Sequence, residues 1–135
     1  MTSKVVYEGS LRTFATHLQS GTVIETDAPL DNGGLAARFS PSDLVATALA
    51  SCMCTIMGLS AKARNVNLGK IECDVQKIME SNPRRIGEIK ITLIVKGENT
   101  FSDHERSILE RAALTCPVFE SLHPEMIKTI LFVWP

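Results

Sequence analysis

Between Pro41 and about Asn65 the chain carries Leu44, Val45, Ala48, Leu49, Cys52, Met53, Ile56, Met57 and Leu59, with little polar face before Lys62-Ala-Arg64. A helix lying on a protein surface needs a polar side, so this pattern predicts one buried nearly all round. Ala46, Ala48, Ala50, Ser51 and Gly58 are small enough to let other backbones come close, which suits a helix set against a sheet or a second subunit. Its start is marked by Ser40, a good cap, and by Pro41 in the first turn, where the missing N–H has no partner to lose.

Short β-like pieces precede it: Val5 to Tyr7, Leu11 to Leu18 and Thr22 to Thr26, separated by Gly9-Ser10 and Ser20-Gly21. These read as a meander of antiparallel strands. Ala28 to Gly34 is too rich in Pro, Asn and Gly for a regular element. After the helix, Lys70 to Glu80 and Ile86 to Lys96 read as two strands joined at Ser81-Asn-Pro83. In the second, Ile89, Ile91, Leu93 and Val95 share one face, the period of a half-buried strand. Ser102-Asp-His-Glu105 resembles a capping box for a helix running toward Thr115, interrupted by Pro117, and Ile127 to Trp134 is apolar enough for a last strand. Strands, long helix, strands, short helices and strand make an α+β fold with antiparallel sheets, expected as one domain over residues 1–135.

A chain of 135 residues folding alone buries only about two-thirds of its unfolded surface, so a partner subunit would help. Lys plus Arg (14) nearly cancels Asp plus Glu (15). No basic stretch is interleaved with aromatics, so neither nucleic acid nor an anionic membrane is the expected partner. The N-terminus shows no apolar signal core, and no apolar run is expected to reach the ~20 residues that span a bilayer. A cytoplasmic location is expected. Four cysteines are too few for a disulfide-built scaffold, and in a reducing compartment they are buried, metal-bound or catalytic.

A thiol attacks as thiolate, and a free cysteine with a pKa of about 8.5 is only a few per cent ionised near neutrality. Cys52 lies roughly three turns into its helix, beyond the reach of the helix dipole, so a cation from elsewhere is required. Arg12 in the meander and Arg38 before the helix are the candidates, with Asp43 able to hold an arginine in place. Against a catalytic role, an unpaired cysteine on an apolar helix is commonly a small hydrophobe. Cys116 shifts the balance, because Pro117 ends or kinks its helix and leaves a thiol at an element terminus, as a resolving cysteine needs. Cys54 and Cys52 point about 200° apart on a helix and cannot share one ion, so Cys54 reads as packing, as does Cys73 on its strand. His17, His104 and His123 show no metal spacing, so neither metal nor cofactor is expected. No Gly-Lys-Ser/Thr follows Asn32-Gly-Gly34, and no serine sits in a nucleophile elbow, which leaves nucleotide binding and triad hydrolysis without support.

Ser40-Pro-Ser-Asp-Leu-Val-Ala-Thr-Ala-Leu-Ala-Ser-Cys52, followed by Cys116-Pro-Val-Phe-Glu-Ser-Leu-His-Pro124, resembles the OsmC/Ohr family of osmotically induced and organic hydroperoxide resistance proteins, in particular its OsmC-like branch. The resemblance spans nearly the whole chain. It implies an intertwined homodimer with the cysteine-bearing helices central and active sites at the interface. The implied activity is thiol peroxidation of organic hydroperoxides, with hydrogen peroxide as a second substrate: Cys52 becomes a sulfenic acid, Cys116 condenses with it to a disulfide, and an external thiol, such as one on a lipoylated protein, restores the dithiol. The resemblance also implies an arginine that stabilises the thiolate, at Arg12 or alternatively Arg38, and a carboxylate near the helix start, here Asp43 where better characterised members carry glutamate one place earlier. A pocket lined by Met53, Ile56 and Phe119 would favour organic peroxides. The alternative is an OsmC-like redox or small-ligand-binding dimer without efficient turnover.

Overall fold

The computed structural model describes residues 1–135. They divide into two compact units, Met1–Val45 and Ala46–Pro135.

In the first unit, strands β1 (Ser3–Gly9), β2 (Arg12–His17) and β3 (Val23–Asp27) form an antiparallel sheet in that order. The β1–β2 turn takes Gly9, Ser10 and Leu11 through positive φ, the twist a tight hairpin needs. Past β3 the chain makes a single 3-10 turn at Leu30–Asn32 and folds back along β3, with Asp27 N–H donating to the Phe39 carbonyl. Gly34 is required here, because a Cβ at that position would overlap the Ala28 carbonyl. The buried residues of this unit are Thr26, Asp27 and Ser40, so it has no apolar core of its own.

Helix α1 (Pro41–Ala63) begins as the sequence predicts. Asp43 N–H donates to Ser40 Oγ, and Ser40 N–H donates back to the Asp43 carboxylate, a reciprocal cap. Beyond Val45 the helix belongs to the second unit. There β4 (Lys70–Glu80) and β5 (Arg85–Lys96) pair antiparallel, α2 (Asp103–Leu114) and α3 (Pro117–Ser121) follow, and β6 (Ile127–Val133) completes the sheet. The Ser102–Glu105 capping box is present in full. Ala46, Leu49, Ala50, Met53, Met57 and Ala61 of α1 form one core with Ile89, Ile91, Leu93 and Val95 of β5 and with Leu109, Ala113 and Cys116.

Three expectations are corrected. The second sheet is mixed: β6 runs parallel to β5, with Ile91 opposite Ile130 and Leu93 opposite Phe132. Parallel strands need a long crossover, and α2 and α3 supply it. Next, α1 is buried on one stripe of its surface; Val45, Ala48, Ser51, Thr55 and Leu59 are exposed in the single chain. Uniform apolarity shows that a helix wants cover all round, but one sheet covers one side. Finally, α1 with its 23 residues is long and apolar enough to cross a membrane by length and composition. In this fold one stripe of that apolar surface packs into the core.

Candidate functional site

Cys52 projects from the middle of α1, half-buried, while Cys116 is fully buried just ahead of α3. The chain leaves α2 at Thr115, Cys116 takes an extended conformation, and Pro117 opens the next short helix. This break turns the Cys116 side chain inward. Its sulfur accepts the Phe119 N–H at 3.4 Å, and the Cys52 thiol is near enough to influence it electrostatically. Burial pushes the Cys116 thiol above its ordinary pKa, with the neighbouring Cys52 adding to the rise; the Phe119 and Val118 N–H groups oppose it. Two neighbouring thiols, one accessible and one kept protonated, can be oxidised together to a disulfide.

Of the groups expected around them, Ile56 and Phe119 are half-buried against the core, and the Lys128 ammonium stands 5.1 Å from the Phe119 ring centroid. Met53 is wholly buried and packs in the core instead of lining an opening. His123 is exposed and turns its Nδ1 to the Glu125 N–H, a loop contact.

The remaining candidates lie in the first unit. Arg12 grips Asp27 with both arms of its guanidinium, Nε to Oδ1 at 2.7 Å and Nη2 to Oδ2 at 2.9 Å. Asp27 also accepts the Ala37 N–H. The arginine's hydrogen bonds hold the Asp27 carboxyl below the usual carboxylate range, and they win over the desolvation that would raise it. Arg38 donates to Glu25 at 2.8 Å and to the Ala37 carbonyl. The carboxylates paired with the two arginines are therefore Asp27 and Glu25, whereas Asp43 serves the start of α1. Glu25 and Asp27 went unnoticed in the sequence. They are two residues apart on one strand and so share a face, and Arg12 stands directly opposite Asp27 in the ladder.

A second thiol contact was also missed. Cys54 of α1 and Cys73 of β4 meet with their sulfurs 3.1 Å apart. The 200° between Cys52 and Cys54 thus gives each thiol of the helix a separate cysteine partner.

The model of the family described as OsmC-like protein matches residues 32–130. The chain belongs to the OsmC-like family. Among solved structures, a candidate osmotic stress induced and detoxification response protein from Psychrobacter arcticus 273-4 is 44% identical, with a TM-score of 0.92 over 98% of this chain and 95% of that one. More distant relatives share the fold. An OsmC-like protein from Mycoplasma pneumoniae is 20% identical, at TM-score 0.76 over 98% of this chain and 94% of that one. The organic hydroperoxide resistance protein OsmC from Legionella pneumophila is 14% identical, at TM-score 0.73 over 98% and 97%. No curated protein sequence matches the chain.

Proposed function

We propose that this chain is a homodimeric thiol peroxidase that reduces organic hydroperoxides to alcohols. The observation that carries the reading is that a half-exposed Cys52 and a fully buried Cys116 are near enough to influence each other within an OsmC-like fold. The relative from Legionella, an organic hydroperoxide resistance protein, supports the substrate class.

The Cys52 thiolate attacks the distal peroxide oxygen; the O–O bond breaks, the departing alkoxide takes a proton from water to leave as the alcohol, and Cys52 becomes a sulfenic acid. Cys116 sulfur then attacks Cys52 sulfur. The S–O bond breaks, water departs with the Cys116 proton, and a Cys52–Cys116 disulfide remains. Two electrons from an external dithiol, of which a protein-bound dihydrolipoyl group is one chemical form, restore both thiols by exchange. The order of the two cysteines follows from access, since peroxide reaches Cys52 before a residue with no exposed surface.

The dimer is supported by apolar surface that one chain leaves uncovered. Val5, Tyr7 and Ile24 lie on one face of the first sheet with about half or more of their surface exposed, and that unit has no apolar core. Such patches call for cover. The role proposed for Arg12, and in second place Arg38, rests on the family resemblance and concerns the charge that the Cys52 thiolate meets in the working enzyme. Arg12→Ala is expected to slow alkylation of Cys52 near pH 7 more than near pH 9, with Arg38→Ala giving the smaller effect. If only Arg38→Ala does so, the role passes to Arg38.

The decisive experiment follows peroxide consumption and thiol content together. With Cys54 and Cys73 both replaced by serine, so that no other thiol can react, Cys52→Ser should reduce consumption to the background rate, while Cys116→Ser should consume one equivalent and stop as a sulfenic acid that dimedone traps. A folded Cys52→Ser variant that still turns over would overturn the assignment. A wild-type protein that binds but never consumes peroxide would favour the ligand-binding alternative.

A further inference from the structure

The Cys54–Cys73 contact is not used by the chemistry above, and its geometry is that of a reactive pair. The sulfurs, 3.1 Å apart, need to close by only about 1 Å to reach the length of a disulfide, a movement within reach of side-chain rotation. Neither residue is fully buried. Cys54 borders an open cavity of about 510 Å³ lined also by Gly58, Ala61, Lys62, Leu68 and Ile71, a volume in the range of small-molecule sites. Both cysteines pack against the core, and no His, Asp or Glu joins them in a cluster able to hold a metal ion.

We infer that Cys54 and Cys73 form a second redox dithiol, separate from Cys52 and Cys116, which a small organic hydroperoxide entering the cavity oxidises to a disulfide joining α1 to β4. The residue at the cavity attacks first. Cys54 sulfur takes the distal peroxide oxygen with its hydrogen, the O–O bond breaks, and the departing alkoxide leaves as the alcohol with the proton that Cys54 gives up; Cys73 sulfur then displaces the oxygen from Cys54 as water, giving up its own proton. One peroxide is reduced by two electrons and the two thiols supply them. Burial together with Cys54 pushes the Cys73 thiol up to about 12, which keeps Cys73 protonated and leaves the first attack to Cys54. The resulting bond closes a loop from the middle of α1 to the start of β4, so it ties down the end of the helix that carries Cys52. This inference stands on its own contact and does not require Cys52 to turn over.

The test uses the Cys52→Ser/Cys116→Ser double variant, in which Cys54 and Cys73 are the remaining thiols. One equivalent of cumene hydroperoxide should remove both titratable thiols and lower the intact mass by about 2 Da, with no covalent dimer. Oxidation should also raise the thermal midpoint by on the order of 10 °C, the increment expected for a loop of this size. A mass gain of one or more oxygens, or two thiols untouched, overturns the inference. If the double variant does not fold, the wild-type chain gives the same answer by non-reducing peptide mapping. Tryptic fragment 39–62 should then be found joined to 71–77 as well as to 112–128, and a map containing only the second link overturns it. Failure of the peroxidase reading shows differently, as a Cys54→Ser/Cys73→Ser variant that consumes no peroxide.

Discussion

Asp27 shows how a buried charge is kept in this chain. Only 3% of its surface is exposed, a setting that alone would favour the neutral acid, yet the fork from Arg12 and the Ala37 N–H hold it ionised. Its folded pKa lies below the unfolded one. The stability it contributes is therefore present above the ordinary carboxylate pKa and is lost as pH falls through the lower folded value. Acid titration of the wild-type protein should show loosening of residues 1–45 below the ordinary carboxylate range. Asp27→Asn should be less stable at neutral pH and show a flatter acid limb, and equal acid limbs would remove the pair from the account. At this scale the sequence was legible where chemistry depends on near neighbours. Cys116 before Pro117 announced a thiol at an element end without any contact being known. Asp27 was not legible, because its meaning depends on standing opposite Arg12 in the β2–β3 ladder, and one residue of register would have changed the pair. Cys54 and Cys73 were hidden for a related reason: each looks like packing until the helix and strand are placed together.

Among the elements, those with a strong period were the most readable. Ile89, Ile91, Leu93 and Val95 alternate in β5 and all four are buried, since a central strand with one face on a helix leaves no other arrangement for that pattern. Strand direction is not encoded in such a pattern. It was the length of chain between β5 and β6, occupied by α2 and α3, that allowed the parallel pairing. Helix starts carried their own signals. At Ser40 the side chain satisfies the Asp43 N–H and is itself buried, so Ser40→Ala removes a cap without leaving water to replace it. A loss of about 1 kcal/mol is expected in urea unfolding. Ser40→Asp, which keeps an acceptor at the same place, should recover part of that loss, and failure to do so would point to packing instead of capping.

For the whole molecule, the apolar character of α1 exceeds what one chain uses. Its core stripe is filled, while Ala48, Ser51 and Thr55, spaced three and four residues apart, form an exposed line of small side chains. A helix that met only water there would gain from longer polar residues and would lose nothing by carrying a charge. In the proposed dimer this line lies against the second copy, and a long cation cannot be accommodated there. Ala48→Arg separates the two cases, because arginine is a good helix former and at an exposed position should change the stability of a monomer by no more than about 0.5 kcal/mol. The expected result is a wild-type protein that sediments as a dimer at micromolar concentration and a variant that sediments as a monomer with its helical circular dichroism retained. Because obligate dimers draw stability from association, the variant's thermal midpoint should also fall, and the wild-type midpoint should rise with protein concentration. A wild-type chain that sediments as a monomer, with a midpoint independent of concentration, would leave the exposed faces of α1 and of the first sheet without a second copy to cover them and would overturn the dimer.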